Sequence, residues 1–233
     1  SLLTVQNTLG GQRVQEVQAG LVAEQLQAVV EDQPPGVVKT GALGGPATVE
    51  AVAGVLAPHD LPLVVDPVLL SSSGEALASE GALESYRKFL LPIALLVTPN
   101  RDELSLLSGH AVSDAASAER AARSLATRCG VAVLAKGGHL QGDPVDVLVQ
   151  ADRAQRWRRP RVESRHTHGT GCAYSAAIAA RLCRGVELPE AIGGARDWLQ
   201  RALRSAPGLG RGHGPLDLLQ PADVAGVGPG LEL

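Results

Sequence analysis

Short, continuous apolar runs alternate with longer stretches of helical spacing along almost the whole of this chain. The runs at 36–40, 63–66, 95–98 and 131–136 are rich in Val and Leu and lack the polar alternation of a strand with one wet face. Such strands must be covered on both sides, which predicts a parallel sheet between two layers of helices. Between the runs, apolar residues recur at helical spacing over 19–32, 79–91, 101–108, 171–184 and 189–206. Pro46 opens a helix at 46–57 from its favoured first-turn position, and Asp114 caps one at 115–129. Residues 1–6 read as a strand, and 145–149 with 154–158 as a hairpin that adds antiparallel strands at one edge. No Ser/Gly-rich or charged linker divides the chain. The expectation is one α/β domain over residues 1–233, three-layered and mainly parallel, with an irregular tail over 208–233.

The chain is long enough, at 233 residues, to bury a substantial core. Its net charge is -3, too weak to draw nucleic acid or an anionic membrane surface. Two Trp, two Tyr and one Phe do not make a base-stacking platform. Three cysteines without a CxxC pair form neither a disulfide framework nor a zinc site. No apolar run reaches the ~18 residues of a membrane span. These features predict a cytoplasmic protein whose partner is a small molecule. The sequence contains no Met and opens directly on Leu2-Leu3-Thr4-Val5, so the natural protein is expected to carry an upstream segment.

In open α/β sheets ligands bind beyond the carboxyl ends of the strands. The unusual residues recur there: Gln6-Asn7-Thr8, Lys39-Thr40-Gly41, Asp66-Pro67-Val68, Thr98-Pro99-Asn100 and Lys136-Gly137-Gly138-His139. Together they predict one shared cleft. Thr167-His168-Gly169-Thr170-Gly171-Cys172 opens into an Ala-rich helix, and its free N–H groups at the positive helix end suit a phosphate. The same position is expected to lower the pKa of Cys172. The alternative is a tight helix entry with Cys172 as filler. Asn100 and Glu103 read either as a capping box or as nucleotide and Mg²⁺ ligands. Lys136 is expected to emerge at the sheet edge as a point charge for a phosphoryl oxygen, so its loss should harm turnover more than folding. Asp66 either caps a neighbouring turn or organises metal and substrate. His139, His166 and His168 read as ordinary loop residues, and Cys129 and Cys183 as inert. Arg153, Arg156, Arg158, Arg159 and Arg161 around Trp157 read as a solvated hairpin edge.

These motifs occur in the order found in a known family, together with Ala42-Leu43-Gly44, Ser73-Gly74 and Ser175-Ala176-Ala177. From Gln6 to about Asp217 the chain resembles the hydroxymethylpyrimidine/phosphomethylpyrimidine kinases of thiamine biosynthesis, within the ribokinase-like superfamily. The resemblance implies a ribokinase-like fold, often dimeric, and transfer of phosphoryl from ATP with Mg²⁺. The acceptors would be the hydroxymethyl group of an aminopyrimidine and then the monophosphate. By the same resemblance Gln6, Gly41, Ala42, Asp66 and Val68 face the pyrimidine, and Asn100, Lys136, Gly138 and Thr170 the nucleotide. Glu103 and Asp66 would serve Mg²⁺. Gly169, Gly171, Lys136 and Cys172 would carry the transfer, with Cys172 accepting the hydroxyl proton. Ala42 and Leu69 stand where the family commonly has Met, which leaves more room beside the ring. The family's first strand and its Gly-rich turn have no counterpart before Gln6. A pyridoxal kinase of the same superfamily and a non-catalytic ligand-binding relative remain the alternatives.

Overall fold

The computed structural model describes residues 1–70 and 77–221. Ser73, Gly74 and the last part of the expected tail lie outside them. The first two strands, β1 (Leu2–Asn7) and β2 (Gly10–Glu16), form an antiparallel ribbon that joins no other strand among the described residues. Residues 1–6 form the expected strand, but it pairs outside the central sheet with a second strand that follows at once. The physical reason is that Gly10–Glu16 is polar on both faces and gains its extended form only by pairing with β1.

The chain then alternates as expected. Helix α1 (Ala19–Asp32) leads to β3 (Val38–Thr40), α2 (Pro46–Leu56) and β4 (Leu63–Val65). A short α3 (Ala82–Ser85) runs into a π-type turn at Tyr86–Leu90 and a 3-10 turn at Leu91–Ile93, where one continuous helix was expected. Pro92 explains part of the break, because it cannot donate to a continuing helix. There follow β5 (Leu96–Val97), α4 (Arg101–Ser108), α5 (Ala115–Cys129), β6 (Ala132–Ala135), the hairpin β7 (Val145–Gln150) and β8 (Arg153–Arg158), α6 (Thr170–Leu182) and α7 (Leu188–Arg204).

The central sheet has the order β3-β4-β5-β6-β7-β8. Its first four strands are parallel, and β7 and β8 continue it antiparallel. The sheet is therefore mixed, with the antiparallel edge that the 145–158 pattern predicts. Strand periodicity sorts the apolar residues into two cores. Leu63, Val65, Val97, Val133 and Val147 face one side, under α1, α2, α4 and α5. Val64, Leu96, Ala132, Leu134 and Leu148 face the other, under α6 and α7. Local signals fix the helix ends. Asp114 accepts from Ser117 N at 2.7 Å in a capping box, and Gly130 closes α5 at φ 67. The basic hairpin is a solvated edge, as expected: Arg159 meets Asp197 at 2.7 Å and Arg156 meets Glu119, while Trp157 is buried.

One buried polar cluster braces the end of β6. Asp146 on β7 accepts from Gly137 N at 2.7 Å with one oxygen and from Tyr174 O–H at 3.1 Å with the other. Arg196 Nε, also buried, lies 3.1 Å from the second oxygen. Gly137 itself has no room for a side chain, since a Cβ there would come within 2.2 Å of the Val145 carbonyl oxygen. Gly137→Ala is therefore expected to cost about 1–3 kcal/mol by overpacking. Urea denaturation checks this; a midpoint equal to that of the wild type would show that β7 yields freely.

Candidate active site

At the carboxyl ends of the parallel strands the chain brings together residues far apart in sequence. Asp66, the residue after β4, is 1% exposed. Its Oδ1 accepts from Lys136 Nζ at 2.7 Å and from Thr98 Oγ1 at 3.2 Å. Its Oδ2 accepts from Ser175 Oγ at 3.0 Å, and Lys39 Nζ stands 3.9 Å away. One carboxylate thus ties together the ends of β3, β4, β5 and β6 and the first turns of α6. Burial alone would raise its pKa, but Lys136, Lys39 and Ser175 hold it below the usual carboxylate range. The Lys136 ammonium is held above its ordinary value in return: burial opposes the charge, and Asp66 and Glu103 outweigh it.

This corrects the reading of Lys136 as a free point charge at the sheet edge. Its side chain is mostly buried, and its first role is to neutralise Asp66. The same contacts bear on Asp66 as a metal ligand, because both of its oxygens are already committed. Direct coordination would have to displace Lys136, Thr98 or Ser175.

Asn100 caps α4, accepting from Asp102 N and Glu103 N at 2.9 Å each, while Asn100 N donates to Glu103 Oε2 at 2.7 Å. The capping-box reading therefore holds. It leaves Glu103 buried, and burial pushes its carboxyl up to about 7 against the pull of Lys136 and the Asn100 N–H. Such a carboxyl beside the Lys136–Asp66 charge pair can hold a cation only together with other donors. Among the described residues no group of three or more His, Cys, Asp and Glu stands ready to bind a metal.

Helix α6 starts at Gly169, whose φ of 76 lies in the left-handed region. Thr170 Oγ1 donates back to the Thr167 carbonyl. The Lys136 ammonium lies under this first turn, so close to Gly171 that a Cβ there would be 3.2 Å from Nζ. Cys172 lies in the same turn and is exposed to a cavity of about 800 Å³ that Lys39 and Gly169 also line. The cavity continues along α6 to Trp198 and Leu216. The expected lowering of the Cys172 pKa is not found. Desolvation of the sulfur and the neighbouring Asp66 carboxylate raise it, and Lys39 and Lys136 do not compensate.

The residues expected around the ring are more scattered. Gln6 is exposed on β1, and Gly41 and Ala42 lie on the turn after β3. The ribbon reaches that turn through the Ser1 ammonium, which donates to the Leu43 carbonyl at 2.9 Å. Tyr86 O–H donates to the Gly41 carbonyl at 3.3 Å. Val68 closes a tight turn, its N–H donating to the Asp66 carbonyl at 2.8 Å. Gly138 is exposed, and its carbonyl accepts from Arg161. The far tip of the ribbon is latched elsewhere: Gly212 N donates to Thr8 Oγ1 and His213 N to the Thr8 carbonyl. Sequence reading missed the bracing cluster of Asp146, Tyr174 and Arg196. The available signal was an aspartate inside the apolar run Val145-Asp146-Val147-Leu148-Val149.

Comparison with known proteins matches residues 1–217 to the family described as phosphomethylpyrimidine kinase. A hydroxymethylpyrimidine/phosphomethylpyrimidine kinase of Streptomyces coelicolor is 42% identical over 215 residues, 92% of this chain and 80% of that protein. The crystal structure of a phosphomethylpyrimidine kinase from Clostridium difficile superposes with a TM-score of 0.75 at 31% identity, covering 86% of this chain and 83% of that one. A pyridoxal kinase from Staphylococcus aureus in complex with AMP-PCP gives a TM-score of 0.82 at 25% identity, covering 93% and 79%.

Two outcomes follow from the geometry. Lys136→Ala removes the hydrogen-bonded cation of Asp66 and leaves only Lys39, 3.9 Å away, as counter-ion; it is expected to cost about 1–3 kcal/mol of stability. Adding Asp66→Asn to it should restore much of that loss in urea denaturation; strict additivity of the two losses would show that the ion pair is not coupled. For Glu103, the folded carboxyl titrates near 7 and the unfolded one near 4.5. Its contribution to stability is therefore complete below the lower value and is lost as pH rises through the higher one. Glu103→Gln is expected to flatten the fall in stability between pH 5 and 8, and an unchanged slope would place the titrating group elsewhere.

Proposed function

The chain belongs to the phosphomethylpyrimidine kinase family, and we propose that it phosphorylates 4-amino-5-hydroxymethyl-2-methylpyrimidine with ATP and then phosphorylates the resulting monophosphate. The observation that carries this reading is the first turn of α6 standing over the Lys136–Asp66 pair, with Cys172 open to the cavity. Phosphoryl transfer asks little covalent chemistry of a protein; it asks for alignment and for charge where the transferring oxygens gather. The N–H groups of Gly169 and Gly171 offer that charge at a helix N-terminus, while the Thr170 N–H is engaged by the Thr167 carbonyl at 3.2 Å. Lys136 spends one of its three N–H donors on Asp66 and keeps the others for a phosphoryl oxygen. In the first step the substrate hydroxyl oxygen bonds to the γ-phosphorus, the bond to the β-phosphate oxygen breaks, and ADP leaves. The hydroxyl proton passes to Cys172.

The nucleotide would lie on the side of Asn100, Gly138 and Thr170, and the pyrimidine between Gln6, Gly41, Ala42 and Val68. AMP-PCP on the related pyridoxal kinase supports the nucleotide. Glu103, with Asp66 reached through water, would hold Mg²⁺, which keeps most of its ligands as water and nucleotide phosphate. When bound, that ion neutralises phosphate charge. We also read the protein as a cytoplasmic homodimer. Leu3, Val5 and Leu9, all exposed on the ribbon, support an apolar contact between copies, and the three cysteines are free thiols. Among the described residues no helix is long and apolar enough to cross a membrane.

The pyridoxal kinases at comparable superposition make pyridoxal the second reading. Release of ADP with each alcohol, and ³¹P spectra of the products, separate the two. Turnover of pyridoxal alone would sink the pyrimidine assignment, and silence with both would favour a binding protein. Because the Cys172 thiol titrates above its ordinary value, the reactive thiolate grows as pH rises. The rate is expected to climb from pH 7 to 9. Cys172→Ala should lower it by about 10²–10⁴-fold, and Cys172→Asp should recover part of it and flatten the profile. Normal turnover in the Ala variant would remove Cys172 from the chemistry.

A further inference from the structure

Two ammonium groups flank the single charge of Asp66, so the cluster of Lys39, Lys136 and Asp66 carries one positive charge in excess. That excess sits on Lys39. Lys136 is hydrogen-bonded to Oδ1 at 2.7 Å, and Ser175 occupies Oδ2. Lys39 Nζ is 3.9 Å from Oδ2, too far for a hydrogen bond, and it has no acceptor within bonding distance among the described residues. Its side chain is nevertheless only 21% exposed. A largely buried ammonium with empty donors is costly unless an anion completes it.

The position of this charge identifies the anion. Lys39 lines the cavity with Gly169 and Cys172. Its Nζ also lies against Gly41, where a Cβ would approach it to 3.1 Å. It therefore stands between the segment assigned to the ring and the residue assigned to the hydroxymethyl end. Lys136 stands apart from it, beneath Gly171. Resting on the two-step reading above, we propose that Lys39 binds the phosphate already attached to the pyrimidine and so determines whether the second phosphorylation occurs. In that step an oxygen of the bound phosphate attacks the γ-phosphorus, the bond to the β-phosphate oxygen breaks, and ADP departs with the electron pair. Two anions must meet for this, and a cation on the acceptor phosphate offsets their repulsion. The first step, with a neutral alcohol, has no such demand.

The test uses the intact chain with Lys39→Gln and Lys39→Arg. Values of kcat/KM are measured separately for the pyrimidine alcohol and its monophosphate, and calorimetric titration gives the Kd of each. Loss of a charge-assisted contact predicts that Lys39→Gln lowers the ratio of second-step to first-step kcat/KM by about 10- to 150-fold, mainly through KM. The Kd of the monophosphate should rise by a similar factor, and Lys39→Arg should retain most of both. Thermal melting checks that the variants remain folded. An equal loss in both steps overturns the proposal, as does a wild type that phosphorylates the alcohol but never the monophosphate. If the wild type phosphorylates neither pyrimidine, the assigned function fails. The titration still decides Lys39 in that case, because an unchanged monophosphate Kd in Lys39→Gln overturns its role.

Discussion

The carboxylate of Asp66 is buried at the point where four strand ends and a helix meet, and it survives there only because Lys136 supplies a charge at 2.7 Å and two hydroxyls supply hydrogen bonds. An isolated buried carboxylate would be intolerable. The ends of β5 and β6 and the start of α6 are therefore held in place by the same contacts that satisfy Asp66. The end of β6 and the start of α6 acquire a fixed separation, and the turn that faces the phosphoryl group inherits it. Asp146 repeats the arrangement one layer behind, fixing Gly137 through its N–H and α6 through Tyr174. The two buried carboxylates brace the start of α6 through adjacent residues, Ser175 and Tyr174.

This arrangement separates structural from chemical charge. Lys136 serves both, so its replacement disturbs folding as well as turnover. Lys39 lies beside the same carboxylate but remains 3.9 Å from it, which leaves its charge available to a ligand. Cys172 shows the opposite effect: desolvation, and then the carboxylate that organises the site, raise its pKa against the pull of Lys39 and Lys136. The site accepts a smaller share of thiolate in exchange for a fixed phosphoryl cradle.

The sequence was most legible where the determinants are local. Helices α1, α4 and α5 fall on the residues that periodicity and the caps Asn100 and Asp114 indicate. Four of the five punctuated strand ends close the central sheet, because polar residues after an apolar run mark a strand end, whereas Gln6-Asn7-Thr8 ends a ribbon strand outside it. What escaped depends on distant partners. The ribbon strand Gly10–Glu16 has no apolar face to announce it. The Lys136–Asp66 pair and the Asp146 cluster join residues that no local pattern relates. The raised Cys172 pKa came from the same source, since the helix end is visible in sequence and the opposing carboxylate is not.

Asp66 and Lys136 lie 70 residues apart, and Asp66 and Ser175 lie 109 apart. During synthesis from the N-terminus, strand β4 therefore leaves the ribosome well before its counter-ion does. At about 5–20 residues per second the delay to Lys136 is roughly 4–14 seconds. Over that interval the N-terminal half can pair β3 with β4 and bring Lys39 near Asp66, but the carboxylate still lacks the cation and the hydroxyls that hydrogen-bond it. The end of β4 must wait for Lys136 and Ser175 to complete its hydrogen bonds, so the floor of the cleft is late to become dry.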